Sequence, residues 1–362
     1  MPLRYGSQIA EHEAVRRNVG LFDVSHMAQI RLTGTQVVAG LEWALTGLFA
    51  DMPVGRAKYS LLCNARGGVV DDLIVYRTGV TDFLVIANAG NRAVVVTELL
   101  ERCESFDVQV EDVSDAYALL AVQGPRAQEL LEDVVTDSSV RPREARYFSC
   151  HDVTMEGQVG AWVARTGYTG EDGFEILVAA EHAPHVWDVL LARGGAYGIL
   201  PCGLAARDSL RLEAGMPLHG AELTPERDPF SAGLHWAVKL TRATGDPHEC
   251  VGAEALTEAS VALESWREQP QNAPVDARIL VGLLGNGRRA ARTGYDVRTL
   301  DGVAVGHITS GVPSPTLGQQ IAMAYVHPAV ASPGTVLHVD VRGRDEVMEV
   351  HPLPLYTRPD RT

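Results

Sequence analysis

Two adjacent carboxylates, Asp71 and Asp72, lie in an apolar run at residues 69–76 that directly follows a Gly67-Gly68 turn signal. The run predicts a strand, in which successive side chains point to opposite faces. Both faces are apolar, so at least one aspartate should meet a buried surface, where a carboxylate must be hydrogen-bonded or raise its pKa. The pair is a candidate for acid–base chemistry. A strand-end aspartate that accepts backbone N–H groups fits these residues equally well.

A third carboxylate, Glu175, is isolated within the apolar residues 174–178. It follows a glycine-rich segment, residues 165–173, whose three glycines are spaced three apart. Glycine permits unusual φ angles and a close backbone approach to a ligand, although the pattern alone favours a long hairpin loop. The segment lacks the GK[ST] ending of a phosphate loop. Glu175, like Asp72, is therefore either a candidate for chemistry or a structural carboxylate.

Arg207 lies beside a small, apolar helical turn formed by residues 204–206. An arginine there could bind a carboxylate or carbonyl through two parallel hydrogen bonds. A surface salt bridge to Asp208 or Glu213 is the alternative. The residues themselves leave both open.

Other catalytic and metal-binding patterns are absent from the sequence. His182 and His185 are three residues apart, but Pro184 interrupts any helix between them and no acidic ligand is spaced to complete a site. The sequence contains no GxSxG, HExxH or Walker motif. We therefore expect no metal and no hydrolase or P-loop chemistry.

Composition limits the compartment and the partners. A chain of 362 residues predicts two or three domains. The net charge of -15 without a block of Lys and Arg opposes nucleic-acid binding. Five cysteines without a CxxC pair indicate a reducing compartment. The polar first residues and the lack of a long apolar stretch predict a cytoplasmic protein with no signal peptide and no membrane contact.

Hydrophobic periodicity predicts an α+β protein with mostly antiparallel sheets. Helices are predicted at residues 8–18, 36–45, 92–103, 126–135, 186–192 and 203–215. Strands are predicted at 28–32, 59–63, 69–76, 83–87, 108–110, 117–122, 161–165 and 174–178. The polar residues 262–277 predict a solvated linker or surface loop. Beyond them, a small closed β domain is predicted from strands at 279–284, 295–300, 303–308, 321–326, 336–341 and 347–350.

Several spaced motifs together resemble the aminomethyltransferase, or T-protein, family of the glycine cleavage system. They keep the same order along nearly the whole chain. They are GLFDVSHM at 20–27, GGVVDDLIVY at 67–76, Asn88-Ala89, RTGYTGEDG at 165–173, GLAARD at 203–208, TSG at 309–311, SPTLG at 314–318 and PLY at 354–356.

The resemblance implies a three-domain cloverleaf that encloses folate in a central hole. Residues 1–30 and 113–228 would form a discontinuous folate-binding domain, and residues 31–112 a ferredoxin-like domain. Residues 229–278 would connect these, through a polar loop, to a C-terminal β-barrel or jelly-roll-like domain at 279–362. Family members usually carry a further segment before the position of Met1.

The resemblance also implies the reaction. Members take the aminomethyl group on the lipoyl arm of H-protein, transfer its carbon to tetrahydrofolate as methylene, and release ammonia and dihydrolipoyl H-protein. Tetrahydrofolate is a co-substrate, lipoylated H-protein is the partner, and no metal is required. Because the lipoyl arm is delivered by a partner, a local patch of complementary charge is expected on the acidic surface.

The matching positions carry roles over to this chain. Asp72 matches the catalytic acid or base, Glu175 the carboxylate that holds the pterin, and Arg207 the ligand-binding arginine. Tyr59, Asn88, Tyr168 and Tyr356 match pocket positions. A carboxylate suits the pterin because it can accept hydrogen bonds from the amino group and the adjacent ring N–H together.

Two other functions stay open at this point. A sister enzyme could use the same folate pocket to demethylate a small methylated amine, sulfonium or aryl ether. A non-catalytic folate-binding assembly factor, as among the iron–sulfur assembly relatives, is disfavoured because the chain lacks their KGC-type signature and keeps Asp72.

Overall fold

The computed structural model describes residues 1–287 and 289–359. The chain divides into two compact units. Unit 1 comprises Met1–Leu62, Asp71–Arg207 and Thr241–Cys250, and unit 2 comprises Cys63–Val70, Asp208–Leu240 and the chain from Val251 onward. The four-part domain division expected from the resemblance stays a prediction.

A seven-stranded sheet forms one layer of unit 1. Its strands, in chain order, are β1 (Val19–Asp23), β7 (Tyr117–Gln123), β8 (Val135–Ser138), β9 (Cys150–Met155), β10 (Val159–Ala164), β11 (Gly173–Ala179) and β12 (Ile199–Pro201). Their order in the sheet is β12-β1-β7-β11-β10-β9-β8, and all pairs except β1 with β12 are antiparallel. Three helices pack against it: α1 (Gln8–Arg17), α4 (Ala127–Val134) and α5 (Ala183–Gly194). Buried Leu130 and Leu190 from two of these helices share a core cluster with Val122 and Ile176 from the strands.

A second sheet, most of whose residues belong to unit 1, has the ferredoxin-like topology that was predicted. It contains β2 (Ala28–Thr33), β3 (Arg56–Cys63), β4 (Val69–Arg77), β5 (Asp82–Ala87) and β6 (Gln109–Asp112), with helices α2 (Val37–Ala44) and α3 (Arg92–Cys103) in the connections. The sheet order is β3-β4-β5-β2-β6. Four strands and two helices follow the split β-α-β plan, and β3 is an additional edge strand beside β4.

Unit 2 contains the predicted closed β domain. Six strands, β13 (Ile279–Gly285), β14 (Asp296–Arg298), β15 (Ala304–Pro313), β16 (Gln320–Val326), β17 (Val336–Asp340) and β18 (Asp345–His351), close into a barrel in the order β13-β16-β15-β14-β17-β18. Closure leaves no unpaired sheet edge. Buried Leu283, Ala324 and Val339 belong to its core.

The remaining helices are α6 (Leu204–Glu213) and α7 (Ala253–Glu268). Helix α7 shows that the prediction of a loop or linker over residues 262–277 was wrong for its first part, because the helix runs through residue 268 and a short 3-10 turn follows at Pro270–Asn272. Leu256 and Leu263, seven residues apart, are buried on one helical face. The polar composition concealed this spacing. Within the described residues, no helix has the length and apolar character of a membrane span.

Candidate functional site

Asp71 and Asp72 lie in strand β4 and share one amide donor. The Asn88 side chain, just after the adjacent strand β5, donates from Nδ2 to Asp71 Oδ1 at 2.6 Å and to Asp72 Oδ1 at 2.8 Å. Asp71 is fully buried, whereas Asp72 is half-buried. The fully buried acid is thus the neighbour of the expected catalytic one.

The second oxygen of Asp72 accepts a hydrogen bond from a tyrosine. Tyr59, on the edge strand β3, donates its hydroxyl to Asp72 Oδ2 at 3.0 Å. Burial, together with the Asp72 charge, raises the pKa of Tyr59 well above its ordinary value, so the tyrosine stays a neutral donor. Asp72 is therefore oriented by a hydrogen bond at each carboxylate oxygen.

Glu175, on strand β11, is held by two hydroxyl groups. Thr166 Oγ1 donates to Glu175 Oε2 at 2.5 Å, and the Tyr76 hydroxyl lies 3.4 Å from the same oxygen. Burial raises the pKa of Glu175, while the two hydroxyl donors and the Arg207 charge act in the opposite direction. Tyr76 is four residues after Asp72 on the same face of β4, about 13 Å along the strand.

Arg207, in the first turn of α6, lies over an aromatic ring. Its guanidinium carbon is 4.5 Å from the centroid of the Tyr168 ring, a cation–π geometry. The acids of the alternative surface pairing have other partners. Asp208 pairs with Arg211 at 2.8 Å, and Glu213 accepts hydrogen bonds from Ser314 and Thr316.

The glycine-rich segment connects β10 to β11, as the hairpin alternative predicted. Two charge pairs fix it: Arg165 with Asp172 at 2.5 Å, and buried Arg16 with Glu171 at 2.9 Å. The segment carries Thr166, which contacts Glu175, and Tyr168, which lies beneath Arg207. The segment therefore supplies a contact to each of two predicted site residues, Glu175 and Arg207.

Six of the seven predicted site residues belong to unit 1 and form two groups around β4 and β11: Tyr59, Asp72 and Asn88, and Tyr168, Glu175 and Arg207. The seventh, Tyr356, belongs to unit 2, where its backbone N–H donates to the Glu213 carbonyl at 2.7 Å. Sequence reasoning missed Thr166 and Tyr76, although Tyr76 shares the Asp72 face of the predicted strand.

His26 is a further polar residue beside Arg207 that was not assigned a role. Burial and the Arg207 charge lower the pKa of His26, which favours a neutral imidazole. The sequence signal that could have identified His26 is its position in the GLFDVSHM motif. Across residues 1–287 and 289–359, no group of three or more His, Cys, Asp or Glu side chains is arranged to hold a metal ion.

The raised pKa of Glu175 predicts a gain in stability from Glu175→Gln. A buried acid whose folded-state pKa exceeds its unfolded value costs nothing when protonated in both states, and destabilises the fold as the pH rises through these values. We expect a higher Tm than wild type at about pH 8, and a difference that disappears toward about pH 4.3, the unperturbed value. Thermal melts at both pH values test this.

The exposed carboxylate Glu181 provides the matched control. Glu181→Gln should leave the Tm unchanged at both pH values because that side chain is solvated. A Glu175→Gln variant that melts below wild type at the higher pH would contradict the burial cost.

Comparisons with known proteins identify the family. Residues 1–242 match the model of the GCVT N-terminal domain, and residues 278–357 match that of the Glycine cleavage T-protein C-terminal barrel domain. The chain is 49% identical over 359 residues to the aminomethyltransferase of Streptomyces coelicolor, a match that covers 99% of this chain and 92% of the relative. Identity to the Thermotoga maritima aminomethyltransferase is 41% over 330 residues, covering 91% and 84%.

A solved structure supports the same assignment. The crystal structure of glycine cleavage system aminomethyltransferase T from Bartonella henselae matches with a TM-score of 0.86 at 34% identity, covering 99% of this chain and 92% of that one. Sequence and fold thus agree over almost the whole length. The chain belongs to the aminomethyltransferase, or T-protein, family of the glycine cleavage system.

Proposed function

We propose that this protein transfers the one-carbon unit of the aminomethyl group on lipoylated H-protein to tetrahydrofolate. The products are methylenetetrahydrofolate, ammonia and dihydrolipoyl H-protein. The observation that carries the proposal is the Asp72 carboxylate, oriented at both oxygens by Tyr59 and Asn88, in a chain of the aminomethyltransferase family.

Asp72 is proposed as the catalytic acid or base. As a folate nitrogen forms its bond to the aminomethyl carbon, that nitrogen must lose a proton, and a positioned carboxylate can accept or relay it. The neutral donors Tyr59 and Asn88 fix the carboxylate without cancelling its charge. This arrangement leaves Asp72 able to orient the reacting nitrogen near the carbon.

Asp72→Asn should abolish most turnover while the fold survives. Positioned proton transfer contributes about 100-fold to 10,000-fold, so kcat should fall by that order while the Tm holds or rises. Steady-state ammonia release and thermal melts measure both. Asp152→Asn, an exposed strand aspartate, is the control and should keep wild-type turnover. An Asp72→Asn variant with near-normal kcat would refute the assignment.

Glu175 and Arg207 are proposed to bind tetrahydrofolate, with Tyr168 beneath Arg207 as part of the same pocket. A carboxylate can accept hydrogen bonds from the pterin amino group and ring N–H side by side. The hydroxyls of Thr166 and Tyr76 both donate to Oε2 of Glu175 and hold the carboxylate in place. Tyr356, in unit 2, is proposed as a ligand-binding residue on the family match alone.

Glu175→Ala should weaken tetrahydrofolate binding by roughly 2 to 4 kcal/mol, because the pterin donor pair would be left without an acceptor. Arg207→Ala should also weaken it. Isothermal titration calorimetry measures both affinities. Glu181→Ala removes an exposed carboxylate and should bind folate as wild type does. Unchanged affinity in both site variants would place the folate pocket elsewhere.

The aminomethyl carrier is proposed to dock through an arginine-lined groove of the barrel. Arg289, Arg292, Arg342 and Arg344 line this groove, together with Tyr295. In a chain of net charge -15, this cluster of arginines supports the proposal of a local cationic patch. Such a patch can steer an acidic carrier to the protein, and this attraction weakens as salt screens exposed charges beyond ~8 Å.

Tetrahydrofolate-dependent ammonia release from aminomethylated H-protein is the decisive assay. The KM for H-protein should rise with salt and in Arg344→Glu, while the KM for tetrahydrofolate should change less. Arg267→Glu makes the same charge change on helix α7 and should leave both values near wild type. If the protein releases no ammonia from the carrier yet methylates tetrahydrofolate from a free methylated metabolite, the demethylase alternative replaces this function.

A cytoplasmic location is proposed on composition. In the described chain, all five cysteines are buried and none forms a disulfide. This suits a reducing compartment.

A further inference from the structure

Gln123 is a buried amide whose two ends both bind the glycine-rich segment. It is the last residue of β7, and its side chain is 1% exposed. Its Nε2 donates to the Thr166 carbonyl at 3.0 Å, and its Oε1 accepts the Thr169 hydroxyl at 2.8 Å. Burial of an amide is tolerated because both ends are hydrogen-bonded.

Two glycines of the segment lie so close to this amide that a side chain at either position would collide with it. A Cβ at Gly167 would lie 2.0 Å from Gln123 Oε1, and one at Gly173 would lie 2.5 Å from Gln123 Nε2. Any larger residue at either position would displace the amide. The close approach that glycine permits is therefore made, at these two positions, to Gln123.

Two residues of the segment contact side chains that are assigned above to ligand binding. Within one residue, the Thr166 carbonyl accepts from Gln123 while the Thr166 hydroxyl donates to Glu175. Two residues on, Tyr168 supports Arg207. The Gln123 amide thus fixes the backbone from which both contacts originate, although Gln123 itself lies in another strand.

We propose that Gln123 is a positioning residue for ligand binding, fixing Thr166 and Tyr168 so that Glu175 and Arg207 are held in place. The proposal rests on the proposed function, since Glu175 and Arg207 are assigned there to folate. An apolar side chain of the same length could fill the space but could not hold the Thr166 carbonyl and the Thr169 hydroxyl.

The pKa of Glu175 provides a readout that would not change if Gln123 had only a structural role. The groups that face it are Thr166 from the segment, Tyr76 from β4 and Arg207 from α6, and all three lower its pKa against the effect of burial. Loss of the Thr166 hydrogen bond should therefore raise the pKa of Glu175 further. Because the ionised carboxylate accepts from the ligand, folate affinity would then begin to fall at a higher pH.

The experiment compares Gln123→Met, Thr166→Val and the double variant. Carbon-13 NMR titration of the Glu175 carboxyl group in the unliganded protein, assigned with Glu175→Gln, gives its pKa, and calorimetry gives the tetrahydrofolate Kd. We expect each single variant to raise that pKa and to weaken folate about tenfold or more. The double variant should be little weaker than either single one, because both remove the same contact.

Leu190→Ala is the matched control, since it destabilises the core of the same sheet without contacting the segment. It should lower the Tm and leave the Glu175 titration unchanged. If Gln123→Met behaves in the same way, Gln123 is only structural and the proposal is overturned. Additive losses of folate affinity in the double variant would overturn it too.

A second variant covers the case in which Gln123→Met does not fold. Gln123→Asn keeps an amide but is shorter by about 1.5 Å, so it cannot reach both partners, and it should also raise the pKa of Glu175. A wild-type titration in Gln123→Asn would contradict the proposal. A wrong folate assignment can be distinguished from a wrong role for Gln123. It would appear as an unchanged folate affinity in Glu175→Ala, whereas the NMR titration of the unliganded protein still reports on Gln123.

Discussion

The cost of placing carboxylates within apolar strands is the constraint on which this site depends. Asp72 and Glu175 can occupy such strands only because hydrogen-bond donors meet them there. The donors come from other segments: Tyr59 from the edge strand, Asn88 from the end of β5, and Thr166 from the connection before β11. Each carboxylate therefore requires several elements of unit 1 to be in place together, so the fold and the site form as one arrangement.

The donors are neutral, and this choice has a chemical consequence. A lysine or arginine in hydrogen-bonded contact would stabilise each carboxylate more strongly, but it would also neutralise it. Burial raises the pKa of Tyr59 and Tyr76, so both hydroxyls keep their protons over the working pH range. The hydrogen bonds to the Asp72 carboxylate therefore come from groups that carry no charge of their own.

The sequence predicted what a one-dimensional pattern can reveal. A charged residue within an apolar strand is visible locally, which is why Asp72 and Glu175 were found, and the alternation of the barrel strands gave the closed β domain. Contacts between distant segments were missed: Tyr76 and Thr166 meet across 90 residues. Strands β1, β8, β9 and β12 were also missed, since most are short and none shows clear alternation. Helix α7 was concealed by its polar composition, although its buried leucines had helical spacing.

Strand β4 sets the separation between the two groups of candidate site residues in unit 1. Asp72 and Tyr76 share one face of β4, and the strand rise places them about 13 Å apart. Tyr76 contacts Glu175 and lies edge-on against Trp162 at 5.3 Å between ring centroids. A strand within a sheet is stiffer than a loop, so the distance from Asp72 to the Tyr76 contact is fixed by backbone geometry. The donors to Glu175 and to Asp72 come from different segments, so a substitution that removes the Thr166 hydroxyl leaves the Tyr59 and Asn88 donors of Asp72 in place.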